Sequence, residues 1–386
     1  MSSKIKRRDW LKHSIMLATG LAMGSTQISQ LSARELINPF TGEIELPENQ
    51  DDIRVKLNAN ENPYGPSAKA RRAIIEAARE GNRYPFSLIN ELKNMIAKEE
   101  GLSPEHIFMG AGSSAILTMA GLAYGLNEGA ILSAYPTFDI LMDTATHFNC
   151  DWEQVPLDAE FGHDLPLMES KVNQNTRLVY ICNPNNPSGT LLEAQRLRDF
   201  CDRVSSSVPV FIDEAYTDFL DDPVGQSMVD LVHQGKDVII ARTFSKIYGL
   251  AGLRIGYGIA RPEIAKMLSK YGPRLVTIGT TSIRAAMASY GDEVFKFHCK
   301  SKNAEVRAFL YKFLEEKNIK YVPSYTSFVL FPLEMNPVQY LERMRAESVA
   351  VRSWSFQDQD YCRVSMGTME EMQLFVEAFD RVMDKR

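Results

Sequence analysis

Short runs of almost uninterrupted apolar residues recur through the middle of the chain: Ala130 to Ala134, Leu178 to Cys182, Val208 to Ile212, Val238 to Ala241 and Ile255 to Ala260. Segments of helical length separate them. Apolar runs without polar alternation read as strands covered on both faces, so the pattern predicts an α/β fold with a mainly parallel sheet between helices. Helix signals come earlier. Ser67 is placed to cap a helix over Ala68 to Arg79, and Ser87 to cap one that buries Leu88, Leu92, Met95 and Ile96 and stops at Gly101. Ser103-Pro104 reads as a further helix start. From Asn38 to Lys56 the chain is polar, with Pro39, Gly42 and Pro47, and reads as an extended arm. After Gly291 the rhythm changes to a long charged helix, short strands at Ser327 to Pro332 and Tyr361 to Met366, and a last helix from Thr368 with Glu371 completing a capping box. The expected division is a leader over 1–33, an arm over 34–66, a large domain over 67–290 and a smaller α+β domain over 291–386, which the arm joins.

Length and composition agree with two domains. The chain has 386 residues, 45% apolar, 24% charged and 10% aromatic, enough to bury a sizeable core. Lys and Arg number 43 against 49 Asp and Glu, a net charge of −6, so there is no field of basic charge for nucleic acid. The five cysteines, Cys150, Cys182, Cys201, Cys299 and Cys362, lie far apart and read as free thiols; no metal site is expected, and no HExxH or GxSxG string occurs. No apolar stretch approaches the roughly 20 residues that span a bilayer.

The N-terminus differs in kind. Lys4, Lys6, Arg7, Arg8 and Lys12 precede a mildly apolar run from Ile15 to Met23, the layout of a bacterial export signal. The string RRDWLK from Arg7 resembles a twin-arginine signal, with a basic surface helix as the plainer alternative. The cleavage candidates, Ala22-Met23-Gly24 and Leu31-Ser32-Ala33, are weak. The expectation is export by the twin-arginine machinery, to the periplasm or beyond; without a working signal the protein stays cytoplasmic.

Three polar clusters fall at the C-terminal ends of predicted parallel strands, where open α/β sheets place ligands. Asn183-Pro184-Asn185-Asn186-Pro187-Ser188-Gly189 is a rigid turn that aims asparagine side chains. Asp213-Glu214-Ala215-Tyr216 sets a carboxylate after apolar residues; burying it is costly unless a cation meets it, and a helix cap is the alternative. In Thr243-Phe244-Ser245-Lys246, a lysine at a strand end in apolar surroundings has its ammonium destabilised, which makes a nucleophilic amine able to form a Schiff base.

The order of these clusters resembles that of fold-type I pyridoxal-phosphate (PLP) enzymes, and the chain is similar to the class I/II aminotransferases, especially the histidinol-phosphate aminotransferases. The likeness covers nearly the whole mature chain: LNANENPYGPS from Leu57, NRYP from Asn82, GAGSS from Gly110, YPTF from Tyr135, then NPNNPSG, DEAY, TFSKIYGLAGLRIGY and CRVSMG. It implies a large domain with a mainly parallel seven-stranded sheet flanked by helices. By this resemblance Lys246 forms the Schiff base and shuttles a proton at substrate Cα, and Asp213 pairs with the pyridinium nitrogen. Asn186 and Tyr216 contact the ring's phenolic oxygen, and Phe138 stacks on the ring. Gly112, Ser113, Ser114, Ser245 and Arg254 hold the phosphate. Tyr84 reaches the phosphate of a neighbouring subunit's cofactor, which implies a homodimer with shared sites. Arg363 grips a substrate carboxylate and Arg352 a second anion, while Asn60 lines the pocket mouth.

The activity implied is transfer of an amino group from an amino acid, or an amine like histidinol phosphate, to a 2-oxo acid such as 2-oxoglutarate. A decarboxylase or carbon–sulfur lyase of the same fold would keep Lys246, Asp213 and Arg254, and an exported solute-binding protein would share the length and leader. If the leader works, a substrate other than histidinol phosphate is expected, since that ester is made and used in the cytoplasm.

Overall fold

A computed structural model describes residues 53–273 and 277–384; the export leader, its cleavage candidates and the arm up to residue 52 lie outside the described residues. The strands are β1 (Val55–Lys56), β2 (Ile107–Gly110), β3 (Gly129–Tyr135), β4 (Cys150–Pro156), β5 (Thr176–Cys182), β6 (Val210–Asp213), β7 (Val238–Thr243), β8 (Gly256–Ile259), β9 (Phe328–Leu333), β10 (Val349–Ala350), β11 (Arg352–Phe356) and β12 (Gln359–Ser365). Seven of them form one sheet in the order β2-β8-β7-β6-β5-β3-β4. Five neighbours, β7 through β4, are mutually parallel, and β8 runs antiparallel to both β7 and β2.

The apolar runs are unalternating because both faces of this sheet are covered. Leu178, Tyr180, Phe211, Ile239 and Ala241 pack with Ile116 and Leu117 on one face. Their chain neighbours Val179, Ile181, Val210, Ile212 and Ile240 pack with Leu197 and Phe200 on the other. Side chains alternate across a strand, so a chain buried on both sides needs an apolar residue at every position.

A second core lies C-terminal. The antiparallel sheet β11-β12-β9 packs against helices Glu293–Glu316, Pro337–Ala346 and Met369–Met383. Residue 53 onward of the arm joins it: β1 pairs parallel with β10, and Val55 and Leu57 are buried there. The long helix Glu293–Glu316 serves both cores, with Cys299 in the first and Val306, Leu310 and Leu314 in the second. The boundary expected at 290/291 therefore opens a shared helix rather than a separate unit.

Helix starts were only partly legible. Ser67 accepts from the Ala70 N–H as expected, and Thr368 and Glu371 form the capping box. Ser87 does not cap: the helix begins one residue earlier, at Phe86, and Pro85 precedes it with no side-chain cap. Ser103-Pro104 opens a single 3-10 turn, Pro104–His106, because the next residues, Ile107 to Gly110, are drawn into the sheet beside β8. The edge strand β4 was missed, since only Cys150 and Val155 of its seven residues are buried and it carries Asp151, Glu153 and Gln154. All five cysteines are free and buried.

The capping box gives a stability prediction. Thr368→Ala should cost about 1 kcal/mol in denaturant unfolding, and Thr368→Ser should stay close to the unsubstituted protein. Equal losses in both variants would show that the hydroxyl does not cap the helix.

Candidate active site

The three polar clusters converge because β5, β6 and β7 are parallel neighbours in register, with Cys182 opposite Asp213 and Asp213 opposite Ala241. Their C-terminal ends border a cavity of about 290 Å³.

Asp213 closes β6 and is 1% exposed. One carboxylate oxygen accepts the Ala215 N–H at 3.1 Å and the other accepts the Tyr180 hydroxyl at 3.4 Å. Among the described residues no cation forms an ion pair with it, although the Lys246 charge acts on it. Arg242, pointing to the opposite face from Asp213's partner Ala241, pairs instead with Glu214 at 2.9 Å and Glu100 at 2.6 Å. Burial pushes the Asp213 carboxyl up to about 6, against the Ala215 N–H, the Tyr180 hydroxyl and the Lys246 charge, which pull it down. Nor is Asp213 a helix cap, since the 3-10 turn that follows, Thr217–Phe219, has none.

In the asparagine turn only Asn186 borders the cavity. Asn183 accepts the Leu192 N–H at 2.9 Å, and the Asn185 amide is spent on Thr137, Pro136 and Ser188, so both brace the turn. Asn186 Oδ1 accepts from Arg363 Nη1 at 2.5 Å, which leaves its NH₂ group for the cavity.

Lys246 lies in the wall between. Its Nζ donates to the carbonyls of Ala59 and Asn60, 3.3 Å to each, and sits 5.6 Å from the Tyr216 ring centre. Burial, reinforced by the Arg363 charge, pulls its ammonium down to about 8. Phe138 also borders the cavity.

The far end is built for an anion. Helix Ser113–Gly125 begins there after Gly112, whose φ is +84°, so N–H groups and the helix dipole face the cavity. A Cβ on Gly112 would fall on the Arg254 guanidinium. Arg254 itself reaches the Ala251 carbonyl at 3.0 Å and Ser245 Oγ at 3.5 Å and forms no ion pair among the described residues. Ser113, Ser114 and Ser245 border the same end.

Arg352 and Arg363 are cross-strand partners on β11 and β12. Like charges directly opposed are unfavourable, and neither has a carboxylate partner among the described residues. Arg363 is 2% exposed, donates from Nη2 to the Asn58 carbonyl at 3.0 Å, and its Nε is buried without a partner. Its guanidinium carbon lies 5.2 Å from the Phe328 ring centre and 5.9 Å from that of Trp354.

One residue sits differently from expectation. Asn60 forms part of the wall rather than the mouth: it is 2% exposed, and its polar groups are taken by Tyr216, Ser365 and Lys246. Tyr84 does not reach the cavity of its own chain and is 76% exposed, its ring 5.6 Å from that of Phe86. Sequence reasoning missed Ser365, whose only cue was its place two residues after Arg363.

A lone buried carboxylate at one side, an anion cradle at the other and a half-buried amine between them fit pyridoxal phosphate, with a cationic ring nitrogen, a phosphate and a carbonyl carbon to receive. Fold and site together define a pyridoxal-phosphate-dependent transaminase. The chain belongs to the aminotransferase class I and II family, which it matches over residues 52–379. It is 35% identical over 319 residues to the histidinol-phosphate aminotransferase of Brevibacillus brevis, covering 82% of this chain and 87% of that protein. To that of Caldicellulosiruptor saccharolyticus it is 32% identical over 333 residues, covering 85% and 92%. Among solved structures, a putative histidinol-phosphate aminotransferase from Erwinia carotovora atroseptica superposes with a TM-score of 0.81 at 30% identity, covering 86% of this chain and 96% of that one. The solute-binding reading falls with this membership.

The Asp213 environment yields a pH-dependent prediction. With a folded pKa near 6 against about 3.8 unfolded, this carboxyl favours the apo fold below pH 3.8. That contribution is lost as pH rises through 6. At pH 8 the uncompensated charge costs the apoprotein about 3 kcal/mol. Asp213→Asn should therefore raise the apoprotein's melting temperature at pH 8, while shrinking the further rise that added cofactor gives. A lower apo melting temperature would show that Asp213 has a partner in the folded protein.

Proposed function

We propose that this aminotransferase takes a primary amine carrying an anionic group, either an α-carboxylate or a phosphate monoester as in histidinol phosphate, and passes the amino group to a 2-oxo acid. The observation that carries this reading is Arg352 opposite Arg363 at one wall, with no carboxylate partner for either among the described residues. Two opposed guanidinium groups are tolerable where substrate anions neutralise them, and each charge-assisted contact contributes roughly 1.5 to 3 kcal/mol. The names of the relatives support the phosphate-ester branch of the class.

When bound, pyridoxal phosphate supplies the electron sink and the carbon that exchanges the amino group. Asp213 holds the proton on the ring nitrogen, and helix Ser113–Gly125, Ser245 and Arg254 bind the phosphate. Asn186 and Tyr216 donate to the phenolic oxygen, and Phe138 covers a ring face. Lys246 anchors the cofactor and, once released, moves the proton at substrate Cα; its lowered pKa keeps a large share of Nζ neutral near pH 8. Arg363 binds the substrate carboxylate and Arg352 a second anion.

Lys246→Ala should abolish turnover, and borohydride reduction of the unsubstituted holoenzyme should place the pyridoxyl group on Lys246 in a peptide map. Covalent capture of cofactor by the apoenzyme should quicken as pH rises through about 8, where the amine becomes neutral. Label on another lysine refutes the assignment. Substrate class is read from a half-reaction screen: amines with a carboxylate or phosphate should convert the cofactor to its amino form, and equal conversion by uncharged amines contradicts the reading.

The protein further acts as a homodimer in which Tyr84 completes the neighbour's phosphate site, a role supported by its exposure beside half-exposed Phe86. Neither inactive parent, Tyr84→Ala or Lys246→Ala, should match the activity of their mixture if sites are shared; a fully active monomer in sedimentation overturns this. The RRDWLK string favours a second reading, export in folded form and a substrate other than histidinol phosphate. Cytoplasmic retention of the full chain, together with rescue of a histidine auxotroph by the chain without its leader, would defeat it.

A further inference from the structure

Every polar group of Asn60 is engaged within the site, by Ser365, Lys246 and Tyr216. It sits in the left-handed region, φ +54°, a conformation asparagine tolerates better than most side chains. Its N–H donates to Ser365 Oγ at 2.8 Å, and Ser365 Oγ donates back to Asn60 Oδ1 at 3.0 Å. Its carbonyl accepts from Lys246 Nζ, and its Nδ2 donates to the Tyr216 hydroxyl at 3.0 Å. All four groups lie in the buried wall: Asn60 is 2%, Ser365 3% and Tyr216 3% exposed.

The polarity of this chain of bonds is decided at Ser365. A serine hydroxyl has one proton and two lone pairs. One lone pair takes the Asn60 N–H, and the buried hydroxyl proton has no acceptor among the described residues other than Oδ1, so it goes there. That bond fixes which end of the Asn60 amide faces which way: oxygen to Ser365, nitrogen to Tyr216. The Tyr216 oxygen is then an acceptor on its Asn60 side, and its own proton is free to point into the cavity. With the amide turned over, Oδ1 would take the Tyr216 proton and the hydroxyl would have none left to donate.

We propose that Ser365 is a positioning residue for the amino-transfer site: through the Asn60 amide it sets the direction of the Tyr216 hydroxyl proton, so that Tyr216 is a hydrogen-bond donor to the bound cofactor's phenolic oxygen. The inference rests on the placement of Tyr216 at that oxygen under the proposed function. Ser365 touches neither substrate nor cofactor. It acts from β12, the strand that also carries Arg363, so the C-terminal sheet controls a proton on the large sheet's side of the cavity.

The test is a pH titration of the bound cofactor's visible absorption, which reports the proton shared between Lys246 Nζ and the phenolic oxygen. A donor to that oxygen stabilises its anionic form and lowers the midpoint. Ser365→Ala should raise the midpoint by about 0.5 to 1 unit, and Ser365→Thr, which keeps the hydroxyl, should restore it. Asn60→Gly, which removes the amide but accepts the left-handed backbone, should reproduce the Ser365→Ala shift and covers the case in which that variant does not fold. In a Tyr216→Phe background neither substitution should add to the shift, since the proton they orient is gone. A midpoint unchanged in both Ser365→Ala and Asn60→Gly overturns the proposal, and so does an equal shift with or without the Tyr216 hydroxyl. Failure of the proposed function would look different: the unsubstituted protein would then show no cofactor absorption to titrate.

Discussion

The carboxylate of Asp213 is buried at the end of a parallel strand and forms no ion pair among the described residues, with the Lys246 charge the cation that acts on it, and the architecture around it follows from that arrangement. An uncompensated buried charge raises the free energy of the empty fold, and the same charge is the reason a cationic ring binds there firmly. Strand alternation keeps it uncompensated. Asp213 and Ala241 share one face of the sheet, while Arg242 turns to the other and is held by Glu214 and Glu100. A shift of one residue in β7 would swing that guanidinium to the Asp213 face and neutralise the site from within.

The remaining groups are arranged at fixed distances from this point by elements that have their own reasons to be rigid. The sheet is covered on both faces, so the ends of β5, β6 and β7 have little freedom. The anion cradle needs Gly112, because any side chain there would displace Arg254. Arg352 and Arg363 come from the C-terminal sheet, and the arm residues Asn58 and Asn60 tie that sheet to Tyr216 and Lys246 through hydrogen bonds. The cavity wall thus draws on both cores, joined by a strap of a few residues and by the shared helix Glu293–Glu316.

What was legible in the sequence has a physical explanation. Strands buried on both faces leave continuous apolar runs, so β3, β5, β6, β7 and β8 were readable, and so were the polar clusters that interrupt them. The edge strand β4 has one wet face and looks like ordinary polar chain. Ser87 and Ser103 are sound cap residues by composition, but Pro85 and the pull of β8 on Ile107 to Gly110 decided the local outcome. Motif likeness named most of the residues around the cavity. It did not show that Asn60 is consumed by internal bonds or that Ser365 takes part, because these depend on which groups meet across more than 100 residues of chain. For the same reason the partner of Arg242 was not foreseen.

The central claim is that Asp213, which forms no ion pair among the described residues, is the acceptor for a protonated ring nitrogen. Nitrogen-15 NMR of the holoenzyme loaded with ring-labelled cofactor measures this directly. The account predicts a protonated pyridine nitrogen at pH 8 in the unsubstituted enzyme, well above the pH at which the free cofactor's nitrogen would hold its proton, and a neutral nitrogen in Asp213→Asn. A neutral nitrogen in the unsubstituted enzyme, or the same protonated signal in both, would contradict it.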